Sequence, residues 1–368
     1  MAELRALVMP KMGLAMTEGM VATWLKAEGE AVAAGDEVAD IETSKITASY
    51  ESPAAGTLRR QVVKPGETVP VGALIGVVDA AAAKAEEIDA FIADAQASFA
   101  QSAAAEAAAP EPVRVATAEG PIQVLEAGPE DAPPLVLIHG FGGDLNNWMF
   151  LQPLLAEHFR TLAIDLPGHG GSGKALNGAD APALARAVAA LMRERGIESA
   201  HLVGHSLGGA VALALAPQAL SLTLISPAGL GPEINMDYIA GFIAARRGKQ
   251  LQPVLEMLFA DPSLIGREMV EALLRYKRLD GVEAALQAIT AASFADGRQI
   301  ASHRAALNTV TIPALVVWGA QDRIIPAAHA DGLPAGVRVE RFADAGHMAH
   351  MERPADLARL IVELTGAA

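Results

Sequence analysis

Residues 204–208 read Gly204-His205-Ser206-Leu207-Gly208, a serine between small residues where an apolar run at 201–204 gives way to an Ala/Leu-rich stretch at 207–215. In a strand, sharp turn, helix setting this pattern forces the serine backbone into a tight turn and lifts its hydroxyl above the sheet, where it can act as a nucleophile. A hydroxyl attacks only when a base takes its proton and an acid orients that base. Both candidates lie later in the chain. Asp322, in Gly319-Ala320-Gln321-Asp322, follows an apolar run at 314–318, and His347, in Asp344-Ala345-Gly346-His347, follows an alternating run at 337–342. His350 is the nearest competitor for the base but falls near the start of the last predicted helix. Asp344 and Glu352 read as solvated or local hydrogen-bond partners, and His169 and His205 as loop-packing residues, with His205 near enough to the serine to touch substrate.

A second kind of chemistry is offered by a lysine. Aligning residues 18–42 with 55–79 pairs Gly19 with Gly56, Gly29 with Gly66, Glu30 with Glu67, Val32 with Val69 and Gly35 with Gly72. Short alternating strands punctuated by glycine imply β-structure, and a two-fold repeat implies two similar halves packed on each other. Between the halves sits Thr43-Ser44-Lys45-Ile46-Thr47. A lysine at the tip of a hairpin, midway through the repeat, presents its amine as an attachment point for a prosthetic arm. Lys11 lies outside the repeat and has no such symmetry.

The elements that position the serine read differently. Short, nearly continuous apolar runs at 134–139, 161–165, 201–204, 222–226 and 314–318 suit strands buried on both faces, and helical patterns at 147–158, 182–195, 207–215 and 355–364 alternate with them. Such alternation predicts a mostly parallel, doubly wound sheet covered by helices. A largely helical insertion at about 231–304 interrupts the alternation and reads as a lid. The expected domains are 1–79, a linker at 80–112 and 113–368. The linker is dominated by alanine, with Lys84 against six acidic side chains. Ile88, Ile92 and Phe99 have near-helical spacing, enough for a short helix, whereas 103–112, ending in Pro110 and Pro112, reads as extended.

Three segments of the first domain, Met9-Pro10-Lys11-Met12-Gly13, Glu18-Gly19 and Glu42-Thr43-Ser44-Lys45, resemble the lipoyl domains of 2-oxo acid and acetoin dehydrogenase complexes, all-β barrel-sandwiches that also serve biotin. Biotin carriers flank their lysine with methionines, and here the neighbours are Ser44 and Ile46. The resemblance implies covalent lipoate on Lys45. Residues 113–368 resemble the α/β-hydrolases. His139-Gly140-Phe141-Gly142-Gly143 is similar to their oxyanion loop, which implies that the backbone N–H groups of Phe141 and Leu207 receive a developing oxyanion. The segment from Asp165 to Ser172 is also familiar from that family and reads as structural.

The pairing of the two domains resembles the dihydrolipoamide acetyltransferase components of acetoin dehydrogenase complexes in the variant with a hydrolase-like second domain. That resemblance implies an acyltransferase that moves an acetyl group from dihydrolipoyl-Lys45 to coenzyme A through Ser206. It implies as partners a thiamine-diphosphate-dependent acetoin dehydrogenase component, dihydrolipoamide dehydrogenase and a lipoate-attaching enzyme, in an oligomer. The His-x-x-x-Asp-Gly signature of the usual 2-oxo acid acyltransferases is missing, since His329-Ala330-Asp331-Gly332 has the wrong spacing. A serine hydrolase with water as acceptor, or an acyl carrier whose second domain is mainly a docking scaffold, remain as alternatives. Arg246, Arg247 and Lys249 in the insertion read as solvated helix surface rather than a coenzyme A phosphate site.

Composition bounds these readings. The chain has 368 residues, is 52% hydrophobic and carries a net charge of −15, which disfavours nucleic acid or an anionic membrane as main partner. It has no cysteine, so a disulfide scaffold, a thiolate zinc site and a Cys nucleophile are excluded, and no metal site is expected. The longest apolar stretch, 210–225, is broken by Pro217 and Gln218, and the first residues lack the pattern of a secretory signal. A cytoplasmic enzyme is expected.

Overall fold

The structure, a computed structural model, describes residues 4–12, 16–43, 47–80, 83–108 and 110–367. The chain forms two compact units, Met1–Ala109 and Pro110–Ala368.

In the first unit β1 (Leu4–Val8), β2 (Glu18–Trp24), β3 (Ala31–Val32), β4 (Glu37–Glu42), β5 (Thr47–Glu51), β6 (Gly56–Gln61), β7 (Thr68–Pro70) and β8 (Leu74–Asp79) make two four-stranded sheets, ordered β1-β8-β6-β3 and β5-β4-β2-β7. Leu7, Val21, Val38, Ile41, Leu58, Ile75 and Val78 fill the space between them. The repeat has a physical basis in this arrangement. Gly29 and Gly66 have φ of +88° and +86°, and Gly35 and Gly72 have +88° and +87°, left-handed turns that favour glycine. Glu30 accepts from Ala27 N at 3.0 Å, and Glu67 accepts from Lys64 N at 2.8 Å, closing the same turn in each half. The short strand of each half joins the sheet of the other: β3 pairs with β6, and β7 with β2.

Helix α1 (Ala85–Ala108) belongs to this unit. Ile88 is buried, Asp89 pairs with Arg60 at 3.0 Å, and the ring of Phe99 lies against Gly72. The helix corrects the expected extended segment from 103: alanine has the highest helix propensity, and no proline interrupts before Pro110.

The second unit holds β9 (Val113–Val115), β10 (Ile122–Ala127), β11 (Pro134–Ile138), β12 (Arg160–Ile164), β13 (Ala200–His205), β14 (Ala219–Ile225), β15 (Phe294–Ala295), β16 (Arg298–Gln299), β17 (Ala314–Gly319) and β18 (Val337–Phe342). Its main sheet has the order β18-β17-β14-β13-β11-β12-β10-β9. Pairing is parallel from β18 through β12, and β10 and β9 are antiparallel additions. The predicted parallel sheet is therefore present, extended by an edge hairpin that the sequence pattern did not mark.

Both faces of this sheet are covered. Val136 and Ile138 join one apolar cluster with α3 (Ala181–Glu194) and α4 (Leu207–Ala214). Leu135 and Leu137 join the other, with α2 (Gln152–Leu155) and the C-terminal helix, described below. The helix expected at 147–158 is instead a 3-10 turn, Leu145–Trp148, followed by the single turn α2, which begins around Pro153 because proline suits a first turn and cannot donate within a longer helix. The insertion between β14 and β17 contains α5 (Met236–Ala244), α6 (Gly248–Leu255), α7 (Arg267–Lys277), α8 (Val282–Ser293) and the β15–β16 hairpin. After β18 come α9 (Ala349–Glu352) and α10 (Pro354–Thr365).

Candidate active site

Ser206 joins β13 to α4 with φ +53° and ψ −117°, a conformation costing about 1–3 kcal/mol for a residue other than glycine. Its neighbours must be small. A Cβ on Gly208 would lie 2.1 Å from the carbonyl oxygen of Ile138, and one on Gly204 would lie 2.3 Å from that of Gly208. The strain is held by hydrogen bonds from Ser206 N to Ile225 O and from Gly209 N and Ala228 N to Ser206 O, each 2.9 Å.

The turn after β17 supplies Asp322. Its Oδ1 accepts from Ile324 N at 2.8 Å and Ile325 N at 3.0 Å, and its Oδ2 accepts from Trp318 Nε1 at 3.0 Å and His347 Nδ1 at 2.8 Å. Burial opposes the charge of this carboxyl, but the pull of His347 and the hydrogen bonds from His347, Ile325 and Ile324 outweigh burial and hold its pKa below the ordinary value. Because an ionised carboxylate only accepts, His347 Nδ1 carries a proton, and in the neutral ring Nε2 is left as a base.

His205 ties this histidine to the Ser206 turn. Its Nε2 donates to the carbonyl oxygen of His347 at 3.0 Å, and the two rings lie 4.7 Å apart. His205 is thus more than loop packing: it joins two loops that the chain separates by 142 positions.

The loop after β11 passes over the serine. A Cβ on Gly140 would fall 3.0 Å from Ser206 Cβ. His139 Nδ1 donates to Gly140 O at 2.7 Å while its Nε2 accepts from Leu166 N at 3.0 Å. His169 Nε2 accepts from Gly142 N at 3.2 Å, and its Nδ1 donates to Pro167 O at 3.1 Å. Burial lowers the pKa values of both rings and keeps them neutral, as their acceptor nitrogens require. Together they orient the peptide units on either side of Phe141. Leu207 N–H, the first of α4, has no intrahelical acceptor. Sequence marks His139 only within the loop motif and His169 only as loop packing; the bond from Gly142 N to His169 spans 27 positions and leaves no local signal.

The insertion closes on the same loop. The hydroxyl of Tyr238 reaches Phe141 O at 3.5 Å, and the Phe242 ring occupies the space over Gly142, 6.1 Å from the Phe141 ring. Arg246 pairs with Glu283 at 2.7 Å, while Arg247 and Lys249 are exposed. Glu352, read as a local partner, accepts from Gly346 N and Ala260 N, each at 2.7 Å. A serine turn, an imidazole paired to a carboxylate and fixed peptide donors are the parts needed for acyl transfer through an acyl-serine.

Lys45, with Ser44 and Ile46, lies outside the described residues. Glu42 and Thr47, which flank this connection, are cross-strand partners on β4 and β5.

Residues 133–354 match the family model described as alpha/beta hydrolase fold, and residues 5–78 match the one described as biotin-requiring enzyme. The chain is similar to the dihydrolipoyllysine-residue acetyltransferase component of the acetoin cleaving system of Pseudomonas putida, 50% identical over 359 residues, covering 96% of each chain. The corresponding protein of Cupriavidus necator is 45% identical, covering 98% of this chain and 97% of its own. Among solved structures, a meta-cleavage product hydrolase from Pseudomonas fluorescens matches with a TM-score of 0.62 at 21% identity, over 69% of this chain and 97% of that one. A 2-hydroxy-6-oxo-6-phenylhexa-2,4-dienoate hydrolase from a Rhodococcus species gives 0.63 at 24% identity, over 69% and 99%. At these identities the structural likeness is one of fold.

Proposed function

This chain belongs to the dihydrolipoyllysine-residue acetyltransferase components of acetoin cleaving systems, and from that premise we propose that Ser206, His347 and Asp322 carry its acetyl transfer and that Lys45 bears its lipoyl group. The activity is transfer of an acetyl group from a dihydrolipoyl thioester to coenzyme A. The ends of the connection that contains Lys45, Glu42 and Thr47, are paired residues of adjacent strands at one edge of a four-stranded sheet, which suits the root of such an arm. A lipoyl group there supplies the thioester donor.

His347, with Nδ1 committed to Asp322, takes the Ser206 proton on Nε2 as the serine oxygen bonds to the thioester carbonyl carbon. The N–H groups of Phe141 and Leu207 receive the oxyanion. The C–S bond then breaks, and His347 returns the proton to the departing sulfur. In the second half the coenzyme A thiol gives its proton to His347 and bonds to the acetyl carbon, and the Ser206 oxygen leaves and is reprotonated. Tyr238 and Phe242, packed on the oxyanion loop, help keep water from competing with the thiol.

The observation that carries this mechanism is the buried Asp322–His347 pair, tied by His205 to the strained Ser206 turn. As a component of an acetoin cleaving system the enzyme works with other components. We read these as a thiamine-diphosphate-dependent acetoin dehydrogenase, dihydrolipoamide dehydrogenase and a lipoate-attaching enzyme, in the cytoplasm. No described helix is long and apolar enough to cross a membrane.

The test supplies S-acetyl-dihydrolipoamide with and without coenzyme A. Acetyl-coenzyme A should form, and Ser206→Ala should abolish it. Free acetate at one rate in both cases would mean hydrolysis instead. Intact mass of protein from lipoate-fed cells should carry one lipoyl increment, lost in Lys45→Arg.

A further inference from the structure

The loops bearing the acid and the base are both fastened to one short piece of the insertion, residues 256–261. On the base side, Glu352 Oε2 accepts from Gly346 N at 2.7 Å, next to His347, while Oε1 accepts from Ala260 N at 2.7 Å and from Asp261 N at 3.4 Å. Met348 N, on the other side of His347, donates to Leu258 O at 3.2 Å. The backbones approach so closely that a Cβ on Gly346 would lie 2.8 Å from both Ala260 N and Leu258 O. On the acid side, the guanidinium of Arg323, the residue after Asp322, donates to Phe259 O at 2.9 Å and to Glu256 O. Asn235, at the start of α5, donates back to Arg323 O at 2.9 Å.

We propose that Glu352 is a positioning residue that makes the alignment of His347 depend on closure of the lid. A carboxylate has two acceptor oxygens and no donor, so one side chain can hold an N–H from the lid and an N–H from the histidine loop together. Moving the 256–261 segment outward draws on Glu352 and frees Gly346 N, and His347 loses its anchorage on both flanks. The base is then set only in the closed state, when the acyl-serine is shielded. Water that enters an open site meets a serine ester with no aligned base, so the coupling favours thiol transfer over hydrolysis. This inference rests on the proposed roles of Ser206 and His347, and adds to them the control of their alignment by the lid.

The experiment compares full-length wild type with Glu352→Gln and Glu352→Ala. Glutamine keeps the shape but turns one acceptor into an N–H donor facing an N–H, so one link is cut. Thermal melting checks folding. Glu352→Gln should melt close to wild type yet form acetyl-coenzyme A about 100-fold more slowly, as expected for a misplaced catalytic group, with KM for the acyl donor little changed. Acetate release should fall with it, because water also needs the aligned base, and Glu352→Ala should go further in the same direction. Acetate and acetyl-coenzyme A formed at wild-type rates by a folded variant would overturn the proposal. A fluorophosphonate probe separates this from failure of the transfer reading: it labels Ser206 without any acyl donor or coenzyme A. Slower labelling of Glu352→Gln than of wild type supports the coupling, even if wild type proves to hydrolyse rather than transfer, and equal labelling rates overturn it.

Discussion

His205 Nε2 donates to the carbonyl oxygen of His347 at 3.0 Å, so the residue before Ser206 holds the backbone of the histidine that pairs with Asp322. Burial keeps this ring neutral, with its pKa well below the ordinary value. Replacing His205 by Ala leaves a buried carbonyl without its donor, a loss of about 1–3 kcal/mol, and frees the His347 loop. Turnover should drop about 100-fold. His205→Gln, which keeps a donor, should recover part of it. Steady-state rates of the two variants check this, and equal activity in both would argue against a hydrogen-bonding role.

Asp322→Asn should cut turnover by about 10,000-fold, because an amide N–H facing His347 Nδ1 favours the wrong tautomer. The pH dependence of stability provides a second test. Asp322 sits below the ordinary aspartate value of 3.8. Its charged form therefore stabilises the fold fully above that value, and the contribution fades as pH falls through the depressed folded value. The gap in melting temperature between wild type and Asp322→Asn should be constant near neutrality and narrow in acid. A gap that persists unchanged into strong acid would refute the pairing.

His350 is fully buried, its ring 4.5 Å from His205 and 4.7 Å from Trp148, and neither nitrogen has a hydrogen-bond partner in the structure. Burial, with a smaller push from His347, lowers its pKa from 6.5 to about 3. Between those values the unfolded chain binds a proton that the folded chain refuses, so stability falls as the solution is acidified, by about 1.4 kcal/mol per pH unit for this one group. His350→Phe should keep the apolar packing and remove that share of the slope. Urea unfolding from pH 6.5 down towards pH 4 measures it, and identical slopes would mean that the ring is not held neutral.

Gly140→Ala places a methyl group 2.9 Å from His205 Nδ1 and 3.0 Å from Ser206 Cβ. The loop after β11 must retreat, and with it the N–H of Phe141, the proposed oxyanion donor. Loss of one oxyanion donor lowers the rate constant by about 100-fold or more while leaving substrate binding largely intact. Separate determination of kcat and KM tests this, since a change confined to KM would place the loop in binding instead.

The proposed site is legible in the sequence because its residues sit at the ends of apolar runs. Ser206, Asp322 and His347 each follow a strand of the parallel sheet, and strand, order and loop position are all local signals. The groups that orient them were harder to read. His139, His169, Tyr238 and Glu352 act through backbone groups far along the chain, and a histidine bonded to a distant peptide looks no different in sequence from one packed in a loop. Helix α1 is hard to read for another reason: alanine-rich composition suits a tether, although the same residues have the strongest helical preference. The β9–β10 hairpin, at the sheet edge and half exposed, lacks the continuous apolar run that marked its buried neighbours.

The exchange of short strands in the first unit bears on how that unit comes into being. Since β3 completes the sheet of the second half and β7 that of the first, neither half can finish a sheet alone, and the domain is in effect an interlocked dimer written into one chain. Its folding must therefore be all-or-none across the repeat. Glu42 and Thr47, the ends of the connection that contains Lys45, belong to the sheet that β7 completes. An enzyme that recognises those paired ends would thereby select chains whose two halves have already closed around each other, so attachment of the arm would double as a check on assembly.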